Sequence, residues 1–190
     1  MIGMMIACHP SNLTSMRNAL LFTSLFVTLP LLAQEIFPTL QGETTNGSTV
    51  TLPMMKNSSK FTIIGLAYGQ KASPLLEEWY GPAYLRFVAK HGLFASAYEA
   101  DVYFVPLFVG ANKAAYEPSL RKFRKSAEPE IVDHVLFSKD DLEPLQEALG
   151  LDNKDIPYFF VLDASGRVIH RTQGTFSDEK LEAMEEIMLQ

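Results

Sequence analysis

The chain has 190 residues, 47% of them hydrophobic and 11% aromatic, enough apolar material for one folded domain with a sizeable core and a short leader. A formal charge of −6 argues against general nucleic-acid binding, which needs a basic face. The single cysteine, Cys8, has no partner for an internal disulfide, so cysteine usage is silent on redox compartment.

The first feature in chain order is a leader. Met16-Arg17-Asn18 precedes an apolar stretch over 19–32 that ends at Ala33, the form of a secretory signal peptide over 1–33 with the folded domain over 34–190. The stretch falls short of the roughly 20 residues of a spanning helix, and Pro30 interrupts it. An exported protein, periplasmic or secreted, is therefore expected, with an uncleaved anchor as the alternative and no stable membrane span once the leader is cleaved. A mitochondrial presequence would be rich in arginine, and only Arg17 is present. Residues 1–15 precede the charge with which such a signal begins, which leaves Met1 and Met16 as alternative starts.

Residues 35–45 are turn-rich, and Asn46-Gly47 feeds the β-branched run 48–52, which predicts an N-terminal β-hairpin. Asn46-Gly-Ser48 and Asn57-Ser-Ser59 fit the glycosylation pattern, relevant only in a eukaryotic secretory host. The apolar run 61–68 predicts a central strand buried on both faces. After it come Gly69-Gln70-Lys71-Ala72-Ser73, and Pro74 opens a helix with Leu75, Leu76 and Trp79 at helical spacing. In α/β sheets such a junction is where reactive groups are kept. Ser73 reads as a helix N-cap rather than a nucleophile, since no motif places His91, His134 or His170 beside it. Lys71 reads as a solvated lysine or an anion contact, and Trp79 as core. The helix should break near Gly81-Pro82, restart, and stop at Gly92.

Further on, a strand is expected over 101–107 and a helix over 114–126. That helix carries Arg121, Lys122, Arg124 and Lys125, either a solvated face or a dock for an acidic partner. A third strand is expected over 131–137, then a short helix over 142–149 stopped by Gly150, with Asp140 and Asp141 as charges matched to its dipole. Glu77 and Glu78 read the same way. Residues 158–162 and 168–172 form an antiparallel pair around the turn 163–166, and 178–189 a helix with Leu181, Met184 and Met188 on one face. The order ββαβαβαββα predicts an α/β three-layer sandwich, a mixed central sheet flanked by helices with the hairpin as an N-terminal extension.

Four segments carry a family likeness: Gly47-Ser-Thr-Val-Thr-Leu-Pro53, the strand and loop from Phe61 to Ser73, Asp155-Ile156-Pro157-Tyr-Phe-Phe-Val-Leu-Asp163, and Gly166-Arg-Val-Ile-His-Arg-Thr-Gln-Gly174. In this order they resemble a thioredoxin-like domain of the redoxin (AhpC/TSA) type, over roughly 37–188. The resemblance implies a cis Ile156–Pro157 bond in a loop packed beside residues 70–73. Where that family has Cys-x-x-Cys, this chain has Gln70-Lys71-Ala72-Ser73, and residues 34–190 hold no cysteine. Disulfide exchange and thiol peroxidase chemistry both need a thiolate, so a non-catalytic protein without cofactor is expected.

A narrower likeness, in Glu78-Trp79-Tyr-Gly-Pro82, Asp133-His-Val-Leu-Phe-Ser138 and 158–167, is to the thioredoxin-like assembly factors of the mitochondrial ATP synthase, which implies a chaperone or assembly role that needs no thiol. The binding candidates are then Tyr68, Gln70, Lys71, Ser73, Ile156 and Pro157, a groove for an extended protein or peptide partner. The alternative is a protein related to thiol-disulfide oxidoreductases or to metal-delivery proteins, acting with a partner's cysteines. Copper-delivery proteins on this scaffold pair one histidine with two cysteines. Here His134 lacks both, and Met54-Met55 reads as core filler rather than soft ligands, so no metal is expected.

Overall fold

Asn46 and Gly47 turn the chain between β1 (Leu40–Glu43) and β2 (Thr49–Leu52), an antiparallel hairpin in the register Leu40↔Leu52. Gly47 has φ 87°, a left-handed conformation suited to glycine. The Asn46 Oδ1 accepts from the Thr44 hydroxyl at 2.6 Å and the Ser48 N–H at 3.0 Å. The computed structural model describes residues 35–54, 60–91, 94 and 96–190. The leader 1–33, its cleavage point, Met55, Asn57 and Gly92 lie outside the described residues.

The central strand β3 (Phe61–Ala67) runs parallel to β4 (Ala100–Pro106) and antiparallel to β5 (Tyr158–Leu162), which pairs antiparallel with β6 (Val168–Gln173), giving the order β4-β3-β5-β6. Successive side chains of a strand point to opposite faces, so an unbroken apolar run requires cover on both. That cover is present: Ile63 and Ala67 enter one core cluster, Ile64 and Leu66 the other. The helices are α1 (Ala72–Glu77), α2 (Tyr80–Ala83), α3 (Tyr116–Ser126), α4 (Glu143–Leu149) and α5 (Asp178–Met188). The first cluster takes residues from α1, α2, α3 and α5. The second takes Leu40 and Leu52 of the hairpin with Leu145 and Leu149 of α4. Trp79 is fully buried, stacks on Phe159 at 4.0 Å, and donates its Nε1 hydrogen to the Gly174 carbonyl at 3.2 Å.

Three local expectations are corrected. The helical break falls at Glu78–Trp79, between α1 and α2, and α2 runs through Gly81 and Pro82. Pro82 has no N–H to give to the carbonyl four residues back, that of Glu78, while Gly81 lacks the Cβ that would crowd the proline ring. After a single π-helical turn, Tyr84–Val88, the stop is Lys90 at φ 56°, with the His91 N–H on the Leu85 carbonyl at 3.0 Å, a left-handed closure made without glycine. Residues 131–137 form no continuous strand: a 3₁₀ turn, Val132–His134, is followed by isolated bridges Phe104↔Val135 and Leu107↔Ser138. The His134 Nδ1–H donates to the Val102 carbonyl at 2.8 Å, so a side chain takes an acceptor on β4 that a paired strand would use. Asp140 and Asp141 precede α4 without capping it. Asp140 accepts from the Gln41 N–H at 2.5 Å and ties the hairpin down, and Asp141 faces Lys113 at 3.8 Å. Gly150, in the left-handed conformation at φ 60°, ends α4 as expected.

Candidate functional site

The loop after β3 and the loop before β5 meet at Gly69. A Cβ built there would lie 1.9 Å from the Lys154 carbonyl oxygen, so only glycine permits the approach. The Gly69 carbonyl accepts from the N–H groups of Ala72 at 3.1 Å and Ser73 at 3.2 Å, which turns the chain into α1. The Ser73 hydroxyl also donates to it, at 3.3 Å. Ser73 is therefore inside the first turn and is not the N-cap; that place belongs to Lys71, which makes no side-chain cap. Serine inside a helix bonds backward to the i−4 carbonyl, which explains the difference.

Gln70 is exposed, and its Nε2 donates to the Asn112 Oδ1 at 3.2 Å. Lys71 pairs with Asp155 at 2.9 Å across the two loops; with its side chain 77% exposed, the pair contributes about 0–1 kcal/mol. Loop 152–157 is organised by its own polar groups. The Asn153 Oδ1 accepts from the Asp155 N–H at 2.9 Å, the Asn153 N–H donates to the Tyr158 hydroxyl at 2.7 Å, and that hydroxyl donates to the Asp152 carboxylate at 2.8 Å. Burial pushes the Tyr158 hydroxyl up to about 12, so it holds its proton across the physiological range.

The expected cis bond is not at Ile156–Pro157: among the described residues the cis peptide is Leu52–Pro53, in the lead-in. The loop reaches β5 through the Asn153–Asp155 turn, with the lower-energy trans form at Pro157. Pro157 is buried, Ile156 half-buried, and the Pro157 carbonyl accepts from the Gly174 N–H at 2.8 Å. Tyr68 is 6% exposed, stacks on Tyr158 at 6.4 Å, and commits its hydroxyl to the Leu151 carbonyl at 3.0 Å, which makes it a strut beneath the loops. Burial raises its hydroxyl's pKa as well. Of the six expected residues, Gln70, Lys71, Ser73 and Ile156 keep accessible surface and Tyr68 and Pro157 lie beneath them.

Sequence reasoning missed Asn112, which arrives on the 3₁₀ turn Gly110–Ala115 after β4 and has no motif around it. It also missed a cavity of about 590 Å³ beside the loop, between residues 69–81, the end of β4 and α3. Leu76, Tyr80, Phe108, Phe123, Ile131 and Phe137 supply its apolar lining. Tyr80 lies against Phe104 at 4.5 Å and Phe123 at 6.4 Å, and burial, then the Glu77 charge, holds its hydroxyl well above the usual tyrosine range. The only signal in sequence was the spacing of Ser119, Phe123 and Ser126 along one side of α3.

The donors weighed for copper do not converge. His134 spends Nδ1 on the Val102 carbonyl and its ring lies 5.5 Å from that of Tyr84, which packs on the first core cluster, while the Met54 sulfur takes the Tyr103 hydroxyl at 3.9 Å and packs on the second. They belong to opposite faces of the sheet, so this set does not fit a single ion. Among the described residues no group of three His, Cys, Asp or Glu side chains is placed to hold a metal.

A sheet in the order β4-β3-β5-β6, with one parallel pair followed by an antiparallel hairpin and helices on both faces, defines a thioredoxin-like fold. Solved structures bear this out. The thioredoxin domain of a thiol-disulfide oxidoreductase from Bacteroides vulgatus superposes with a TM-score of 0.55 at 15% identity, covering 82% of this chain and 96% of that one. BsSco, of the Sco family of cytochrome c oxidase assembly proteins, gives 0.55 at 10% identity over 82% and 92%. The exposed lipoprotein thioredoxin of Streptococcus pneumoniae gives 0.52 at 14% identity over 78% and 99%. No family model and no curated protein matches the chain. Among the described residues no helix is long and apolar enough to cross a membrane.

Proposed function

We propose that the protein is an exported thioredoxin-like module that binds a polypeptide and performs no thiol–disulfide exchange of its own. The observation that carries this reading is the chemistry of the assembled loop. Two loops are held in contact at Gly69, and the side chains presented there are the carboxamides of Gln70 and Asn112 and the Lys71–Asp155 ion pair. No cysteine occurs in 34–190 to supply a thiolate. Carboxamides offer both donors and acceptors, and beyond the one bond they share they match the N–H and C=O groups of an extended chain. Export is supported by the signal-like form of 16–33 and agrees with the pneumococcal neighbour's being an exposed lipoprotein. An assembly role is supported by the likeness to ATP-synthase assembly factors and by the neighbour from a family of oxidase assembly proteins.

The test pairs an insulin-reduction assay with NMR titration by a reduced, carboxymethylated polypeptide. No acceleration of insulin reduction is expected, together with shift changes at the amides of Gln70, Lys71 and Asn112. Insulin reduction at the pace of a dithiol enzyme, or a titration that leaves those amides unmoved, refutes the reading. The rival, a protein that works on a partner's cysteines or carries a metal to them, is favoured by the oxidoreductase and Sco neighbours. Stoichiometric Cu(I) binding by the full chain is the result that selects it.

A further inference from the structure

The cavity beside the loop has a wall unlike the rest of this acidic protein. Helix α3 turns Ser119, Lys122, Phe123 and Ser126 toward it, one side of the helix at i, i+3, i+4 and i+7. Phe123 supplies the apolar surface and packs on Phe137 at 5.4 Å, while the two serines keep the wall low on either side of it. Lys122 stands at the rim, and Arg121, Arg124 and Lys125 continue the charge over the outer face, all four exposed. Of these four, only Arg124 has an anionic partner among the described residues, Glu43 at 3.5 Å. Four cations in five positions on a chain of net charge −6 form a local positive field, although the rim also carries Glu77 and Glu128. Tyr80, which lines the cavity, makes no hydrogen bond through its hydroxyl among the described residues. At about 590 Å³ the cavity has the size of a ligand pocket and opens onto Gln70, so it continues the loop surface.

We infer that this cavity receives a bulky apolar side chain of the bound polypeptide while acidic residues flanking that side chain meet the cationic face of α3. The inference rests on the polypeptide-binding reading and names its ligand class, an acidic segment with an aromatic or leucine anchor. The side chain fills the apolar lining around Phe123 and Leu76, and Lys122 and Lys125 hold the flanking carboxylates. Positive potential of this kind sets orientation and partner choice more than raw affinity.

The experiment uses the full chain and fluorescence polarisation with three labelled peptides: acidic flanks around Phe-Leu, basic flanks around Phe-Leu, and acidic flanks around Ser-Ser. Only the first is expected to bind well. Charge reversal in the Lys122→Glu/Lys125→Glu double variant should weaken it about tenfold or more and improve the basic peptide, and the effect should fade as salt rises above about 0.15 M. Ser119→Trp, which fills the cavity from a half-exposed helical position, should abolish binding of the acidic Phe-Leu peptide while thermal melting shows the variant folded. Phe-Leu peptides that bind regardless of flank charge and of both variants overturn this inference and leave the loop reading standing. Failure of all three peptides together with unmoved Gln70 and Asn112 amides overturns both. Binding of the wild type, but not of the double variant, to anionic phospholipid vesicles, with no peptide bound, assigns the basic face to a membrane surface and also overturns the inference.

Discussion

Replacing Gly69 with alanine is the sharpest test of the assembled site. The added Cβ would stand 1.9 Å from the Lys154 carbonyl oxygen and 2.9 Å from its carbon, whereas an unstrained contact needs about 3.5 Å. The obstacle is backbone, so no rotamer change relieves it and the loops must separate by more than about 1 Å. Separation strains the Lys71–Asp155 pair and the Asn153–Asp155 turn, and it lifts Ile156 from the second core cluster. Overpacking against fixed backbone costs about 2–3 kcal/mol. In a domain of this size each kcal/mol lowers the melting temperature by about 2–4 °C, so a fall of about 4–12 °C is expected. Near-UV circular dichroism follows the melt, and amide exchange at Lys154 and Asp155 localises the damage. A variant that melts within about 1 °C of the wild type, with unchanged exchange in that loop, shows that the loops are not in contact in solution and removes the basis for the site.

Two further outcomes probe the scaffold. Glu185 of α5, 5% exposed, accepts from Arg86 at 2.7 Å and from the Tyr98 hydroxyl at 2.8 Å, so Arg86→Ala leaves a buried carboxylate without its cation and should cost about 3–5 kcal/mol by urea unfolding. The Arg86→Met/Tyr98→Phe/Glu185→Leu triple variant, which leaves neither the cation nor the Tyr98 hydroxyl unpaired, should recover most of that loss, and a triple variant as unstable as Arg86→Ala would show the charge to be irrelevant. His170 on β6 has a buried Nε2 with no hydrogen-bond partner, and burial holds its pKa below the ordinary 6.5. Its neutral form is favoured in the fold, so the unfolded chain binds the proton first as pH falls; stability should drop below about pH 6.5 and level off beneath the depressed value. His170→Leu should flatten that limb in urea titrations across pH, and an unaltered slope would assign the acid sensitivity elsewhere.

The central strand and the last third of the chain were legible because burial on both faces and helical or alternating periodicity leave direct traces, as in Phe61–Ala67 and in Leu181, Met184 and Met188. What escaped depended on side chains replacing main-chain bonds. Nothing local in Asp133-His134 announces that an imidazole will bond to the Val102 carbonyl and interrupt a strand, or that Lys90 will close a helix in the left-handed conformation. Likewise Glu185 reads as one more acid on a helix, and only the meeting of α5 with Arg86 and Tyr98 makes it a buried anchor. Residues 68–73 were found because a strand–loop–helix junction is contiguous in sequence, and 156–157 only through the resemblance to the thioredoxin-like family. Asn112 and the α3 wall reach the same place through tertiary packing alone.

The contact at Gly69 does not by itself choose between sulfur chemistry and binding. A thiol enzyme needs the two loops close so that a mixed disulfide can form beside them, and a peptide-binding module needs them close so that main-chain partners stay at fixed spacing. The proposed reading takes its preference from what the loops present. A thiolate at residue 70 would draw on the start of α1 and on Lys71, but Lys71 is engaged with Asp155 and Gln70 has no ionisable atom. The adjoining cavity adds apolar surface and cationic charge on α3, which a small redox substrate would not use and a polypeptide would. A fold like that of an oxidoreductase domain, with side chains suited to recognition at its loops, is what supports the proposed reading of a scaffold that holds its partner in place.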